Sequence, residues 1–351
     1  MYRRNIIIAI SLFLLLSIAT YADFAFSKVG TAGMKFLQIG VDARSTAMGT
    51  AVAATGNDIS ALYWNPAGIV NLSNNNVIAG YTRWFSDIQY TYFGYTMDMG
   101  LNGAFGLQFA MLGMGQMNET TIEYPEGTGK TFSSSDMLFG ISYSKNFTDK
   151  FAFGFTAKYI METIWDLSAS TIGIDIGVLY QTGVENLRIG GVMRNFGGQA
   201  QFTGRQLDNQ ITYNDPNTGL VIPGYNITAQ TTPFTLPTEF RIGMVYDWVH
   251  TETNVFATSV EFTHPNDGEE RVFVGIEDVI SNIFALRVGY KYRHNEFMHR
   301  PEKEILGQLT GISAGAGVHI DMNQFKINVD YSAANYDRLG IVHRVTLGLG
   351  F

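Results

Sequence analysis

The sequence predicts an all-β transmembrane antiparallel β-barrel of about 14 strands with an N-terminal luminal plug, and three observations carry the prediction. Segments that alternate apolar and polar residues recur from Val77 to the end of the chain. The connections between them alternate between short and long. The chain is poor in charge, with 15% charged residues where a soluble protein carries about 25%, and rich in glycine (38) and aromatic residues (13%).

The first element is a targeting segment. Tyr2-Arg3-Arg4 is basic, Ile6 to Ala19 is apolar, and Thr20-Tyr21-Ala22 offers small side chains near a cleavage point, so residues 1–22 read as a signal peptide. The apolar run falls short of the roughly 20 residues a membrane helix needs. No later run approaches that length, so a mature chain in a membrane must cross it with strands. The expected location is an outer membrane, its lipid being the first partner, with short turns in the periplasm and long loops outside. The absence of cysteine rules out disulfides and thiolate metal sites. A net charge of -8 without a basic cluster argues against nucleic acid as a partner.

Residues 23–76 lack strand alternation and carry Gly, Ala, Ser and Asn with short helix-like pieces, too many for a linker; they read as the plug, and residues 77–351 as the barrel. Strands are expected to start near Val77, Ile88, Asn102, Met137, Phe151, Ser170, Asn186, Thr238, Asn254, Glu270, Phe284, Gly311, Gln324 and Val342. The clearest sets Phe240, Ile242, Met244, Tyr246 and Trp248 against Arg241, Gly243, Val245 and Asp247. Alternation alone fits a soluble sandwich as well. The even strand total, the length of each strand and the loop asymmetry select the membrane barrel. Long connections span Gly113 to Asp136, Asn195 to Pro237 and His294 to Thr310. All eight prolines fall outside the strands so drawn. The chain ends in Val345, Leu347, Leu349 and Phe351 alternating with small residues, which resembles the signal read by the barrel-assembly machinery, an expected partner.

Three runs within the plug carry a further resemblance: Phe36 to Arg44, with Asp42-Ala43-Arg44; Met48-Gly49-Thr50-Ala51; and Asp58 to Gly68, with Trp64-Asn65-Pro66-Ala67-Gly68. Together they resemble the N-terminal signature of the PorV/PorQ family, within the group of barrels related to the fatty-acid transporter FadL. Ala47 stands where that family usually has glycine. The resemblance implies a hatch folded inside the barrel. Physically, Pro66 pushes Asn65 to an extended conformation and Gly68 permits close backbone packing. Arg44 in a lumen is expected to pair with inward carboxylates such as Asp175, Asp247 or Asp330, with ligand anchoring as the other reading.

Chemistry is not prominent. His294, Glu296 and His299 share a predicted outer loop without the spacing of a zinc site, and Gly127 to Thr131 lacks the upstream glycine of a phosphate loop, Tyr124 standing there. No linked Ser/His/acid motif marks an active site, so no enzyme, cofactor or metal is expected. The resemblance implies two functions. One is an accessory or shuttle role in type IX protein secretion, binding secreted cargo or translocon proteins through the long loop with Tyr213, Tyr225 and Phe234. The other is FadL-like transport of a hydrophobic small molecule, with the apolar stretch Phe109 to Met117 as entrance. A third reading is a purely structural barrel, its lumen filled by Arg188, Arg241, Arg287, Lys291, Arg293 and Lys326.

Overall fold

The structure, a computed structural model, describes residues 30–214, 217, 220–293, 311–322 and 325–351. The expected signal peptide lies outside them, as do His294, Glu296 and His299 and the connection 294–310. Fourteen strands span the wall: β1 (Asn76–Arg83), β2 (Gln89–Asp98), β3 (Ala104–Gly113), β4 (Ser134–Thr148), β5 (Phe151–Ile164), β6 (Leu167–Gln181) and β7 (Leu187–Gly197) form the first half. The second half is β8 (Glu239–His250), β9 (Val255–Pro265), β10 (Arg271–Ile280), β11 (Phe284–Arg293), β12 (Ile312–Met322), β13 (Phe325–Asn335) and β14 (Ile341–Gly350). Each pairs antiparallel with its sequence neighbours, and β14 pairs with β1 from Asn76↔Gly350 to Arg83↔His343, so the sheet closes without an edge.

The two faces of the wall meet different solvents. Phe240, Ile242 and Trp248 of β8 face outward, while Arg241, Val245 and Asp247 are buried inward. Lipid rewards the apolar outward set; the inward set must be small or paired because the lumen is packed with protein. Val345, Leu347, Leu349 and Phe351 share the outward face of the closing strand and its end. The strand starts agree with the sequence reading except at β4 and β6, which begin at Ser134 and Leu167, earlier than expected. At 15 residues each these two strands exceed the roughly 9–11 residues that a tilted strand needs to span the hydrocarbon, so their outer ends are not required to keep apolar parity.

Two long connections expected as plain loops carry hairpins of their own, Met117–Asn118 with Thr131–Phe132 and Asp208–Asn214 with Val221–Thr228. Pro223 therefore lies in a strand after all, but in a hairpin with a register irregularity between Ile211 and Tyr213; Pro265 is the last residue of β9. Both positions tolerate a missing donor.

The N-terminal segment lies in the lumen and runs from its outer mouth to its periplasmic end. Ala32 bridges Thr235 in the connection after β7, and Gly33 N–H donates to Thr235 O at 3.1 Å. Short turns follow: a 3-10 turn Lys35–Gln38, helix α1 (Ala43–Ala47), helix α2 (Ala61–Trp64) and a 3-10 turn Pro66–Asn71. Pro66 and Ala67 reach Gly154 at the periplasmic end of β5. In the outer half of the lumen, Met34, Phe36 and Leu37 pack with Leu112, Leu138, Ile160 and Leu236 in one apolar cluster. That cluster occupies the β3–β6 side and leaves the opposite side for polar groups.

Candidate functional site

The motif residues of the luminal segment fix it to the wall through buried polar contacts. Asp42, extended at φ -129°, accepts from Ser45 N at 2.7 Å as the N-cap of α1, and from Trp64 Nε1 at 2.9 Å. Burial, above all, raises the Asp42 carboxyl from its ordinary value, with Asp58 adding to the rise; the bonds from Ser45 and Trp64 oppose it. Ala43 N donates to Thr346 Oγ1 of β14 at 2.8 Å. Met48 and Gly49 lie against Gly275 and Gly289, where any side chain would strike the segment's backbone. Asn65, at φ -153°, donates to Ala53 O at 2.6 Å and Val178 O at 3.1 Å and accepts from Ala67 N. Pro66 then opens the 3-10 turn and Gly68 packs on Gly56.

Replacing Asp42 with alanine removes the cap and orphans the Trp64 N–H, offset in part by relief of the buried charge. The expected net loss is about 2 kcal/mol, read as a shift in urea unfolding of the detergent-solubilised barrel. A loss of less than about 0.5 kcal/mol would mean that neither bond is made.

Arg44 pairs with an inward carboxylate of the wall, but not with one of the three named from the sequence. Its guanidinium is bidentate to Glu277 of β10, at 2.8 Å from Nε and 2.6 Å from NH2, with Asn57 Oδ1 at 3.1 Å and Asp58 at 3.8 Å. The three carboxylates expected for it serve other cations: Asp175 holds Lys158 at 2.6 Å, Asp247 holds Arg188 at 2.8 Å, and Asp330 holds Arg287 at 2.5 Å. Alternation identifies inward carboxylates, Glu277 among them, but not which one faces a given point of the segment.

A second buried network lies where α2 meets β7, β8 and β9. Arg194 pairs with Glu239 at 2.7 Å and stacks over the Tyr63 ring, 4.3 Å from its centroid. Arg241 pairs with Glu261, donates to Thr50 O at 2.6 Å and lies 4.7 Å from the Trp64 ring centre. Glu261 in turn accepts from Ala53 N at 2.7 Å. Each charge taken out of water has a partner, the condition for burying it.

Above this network, on the β8–β13 side, is a cavity of about 360 Å³. Trp64 and Arg241 line its inner part, and Arg271, Phe273, Lys291, Asn335 and Tyr336 are among its outer walls. The luminal segment forms its floor, and its other walls are outer strand ends and the β13–β14 connection, so it faces the cell exterior.

The sequence of residues 25–265 matches the family described as type IX secretion system protein PorV. The chain belongs to that family. The match runs from the luminal segment to the end of β9 and includes all the motif residues above. No curated protein matches the chain. The fold is similar to solved outer-membrane barrels. One is the Pseudomonas putida toluene transporter TodX, at 14% identity and TM-score 0.54 over 88% of this chain and 97% of that one. Another is the Ralstonia pickettii toluene transporter TbuX, at 13% identity and TM-score 0.52 over 88% and 97%. A PorV-family chain in this fold is an outer-membrane β-barrel.

Other regions singled out in the sequence fall into place around that barrel. Phe109 and Met111 face lipid while Ala110 and Leu112 are buried inward, so the first part of the stretch to Met117 is the outer end of β3, with two different faces. Gly127 to Thr131 closes the first outer hairpin; Thr128 Oγ1 donates to Glu119 at 2.6 Å and no helix follows. Phe234, expected on a contact surface, turns inward onto Gly33 and Phe202. The side chains of Tyr213, Tyr225 and Arg293 lie outside the described set. Lys326 has inward parity but sits exposed at the periplasmic rim, 3.3 Å from Asp321. The sequence reading missed Glu277, Arg194, Glu239 and Glu261, all of inward parity, because partners across a lumen leave no mark on spacing.

Proposed function

We propose that this barrel serves type IX protein secretion as an accessory or shuttle component, binding exported protein or translocon partners at its outer loops while its lumen stays closed. The family match over residues 25–265 is the observation that carries the reading. The buried pairing of the luminal segment with the wall agrees with a lumen that does not serve as the conduit. The connection after β7 supplies a surface suited to recognition: Phe202 and Phe234 anchor its base, and Leu220 and Val221 are exposed at its far end. The reading includes no catalytic step. It includes the assembly machinery as a partner through Val345, Leu347, Leu349 and Phe351, and removing Phe351 is expected to lower the amount of heat-resistant barrel in the membrane without changing its synthesis.

The test is deletion of the gene in its native host, with the surface and culture fluid compared by mass spectrometry. Secreted proteins are expected to accumulate in the periplasm and to return to the surface on complementation. An unchanged set of secreted proteins, with slower uptake of fatty or aromatic compounds, would favour transport of small hydrophobic molecules instead. That second reading has the likeness to the toluene transporters in its favour. The charged lining of the outer cavity speaks against it.

A further inference from the structure

We propose that Asp136 and Glu162 form a proton-dependent latch on the outer end of the luminal segment, closed in mildly acid medium and loosened in alkaline medium. The two carboxyls are direct cross-strand neighbours, Asp136 the third residue of β4 and Glu162 the third from the end of β5. Their parity points both into the lumen, and such neighbours stand about 5 Å apart at Cβ. Asp136 is 7% exposed and Glu162 half-buried.

The surroundings of the pair are apolar. Leu112 stands opposite Asp136 on β3 and Ala169 opposite Glu162 on β6, and Leu138, Ile160 and Met34 complete the cluster. No cation compensates the two acids. Among the described residues Asp136 makes no hydrogen bond or ion pair, and Glu162 accepts only from Met34 N–H, at 3.3 Å. Lys35, next along the luminal segment, is bound to Asp267, and Asp166 of the β5–β6 turn to Arg205. Two like charges opposite each other repel, and here neither has a counter-ion to offset the lost water. The pair therefore keeps a proton. Burial first and Glu162 second raise the Asp136 carboxyl to about 7 from its ordinary 3.8, and burial raises Glu162 too, against the bond from Met34.

The Met34 bond makes the pair a latch. Met34 is left-handed, at φ 51° and ψ 43°, with its side chain in the same cluster. A residue with a side chain adopts that backbone at a cost, so the turn depends on its bonds. The two residues before it are held to Thr235 by one bridge and one hydrogen bond. With the proton in place, Asp136 is neutral and Glu162 keeps its charge for Met34 N–H. Loss of the proton sets a second charge against the first, draws water into the cluster and weakens the hold on Met34. An acid whose value is raised by folding favours the closed form fully below about pH 4, and that contribution is lost as pH rises through about 7.

The chain has no cysteine, so one placed at Ala32, buried where the segment meets Thr235, reports on the latch. The test is the maleimide-labelling rate of full-length A32C in detergent, divided at each pH by that of A32C/D136N, which cancels the thiol's own titration. The ratio is expected to rise about tenfold or more between about pH 5 and pH 8. Divided by A32C/E162Q instead, which removes the like charge but keeps an acceptor for Met34, it should rise about threefold or more. A reporter at the exposed periplasmic turn, N102C, should give a constant ratio. A ratio that stays flat with pH would overturn the proposal, as would an equal rise at N102C, which would mean that the whole barrel loosens. A flat ratio against A32C/E162Q alone would overturn the pairing of the two carboxyls. Should D136N fail to migrate as a heat-resistant barrel on gels, the A32C/E162Q comparison decides by the same criterion. None of these outcomes depends on whether secretion requires the barrel.

Discussion

Replacing Glu277 with methionine is expected to destabilise the barrel by about 3–5 kcal/mol, the cost of leaving buried charge without its partner. Glu277 accepts from Arg44 through two nitrogens and from Arg287 Nε at 2.6 Å, so the change takes the main partner from two guanidinium groups, leaving Arg287 its bond to Asp330 and Arg44 only the more distant Asp58 at 3.8 Å. The size of the loss follows from the removal of one partner only. Replacing both, as R44M/E277M, returns the site to apolar packing of similar volume and should recover at least half of the stability. Urea unfolding of the four proteins of this cycle, followed by Trp fluorescence, gives the coupling directly. A single-variant loss below about 1 kcal/mol would place Glu277 in contact with water.

The second large effect is expected from glycines of the wall. A side chain at Gly289 of β11 would strike Met48 and Gly49, and one at Gly154 of β5 would strike Pro66 and Ala67; in both cases the obstacle is backbone, which cannot swing aside. Valine at both positions should therefore expel part of the luminal segment while leaving the outward face of the wall unchanged. A barrel of this girth without its filling leaves an aqueous path. In planar bilayers G289V/G154V is expected to conduct where the wild type is silent, and cells carrying it should become sensitive to large antibiotics. A silent, correctly folded variant would mean that the segment can shift within the lumen without opening it.

The parts of this architecture that face lipid are those legible in the sequence. Each spanning strand must present Phe, Ile, Leu, Val or Tyr at every second position to hydrocarbon, as Ile172 and Ile176 or Val345 and Leu347 do, and that demand acts on each strand separately. The outer ends of β4 and β6 escape it because the strands are longer than a tilted strand needs to span the hydrocarbon, so Ser134 to Asp136 reads as loop. The lumen obeys a different demand. Glu277 is chosen by where Arg44 comes to rest, and Phe234 turns inward because Gly33 leaves room for its ring; both facts depend on two parts of the chain meeting, and neither part alone records it. The cavity is further from the sequence still, since its walls come from the luminal segment, from β8, β10, β11, β12 and β13, and from the β13–β14 connection at once.

The path of the luminal segment constrains the order in which the molecule can be made. Ala32 is bridged at the outer mouth and Asn76 begins β1 at the periplasmic end, so the described chain crosses the lumen lengthwise before it contributes to the wall. A ring already closed by β1 and β14 would offer that segment only an end-on route past its own packed interior. The simpler history is one in which the sheet curls around the segment, with Glu261, Glu277 and Thr346 from three separate strands taking hold before the seam zips. The segment is then a mandrel as much as a stopper: the interior is specified first and the wall is wound onto it. Closure, joining the first and last strands of the sheet, becomes a late and strongly non-local event.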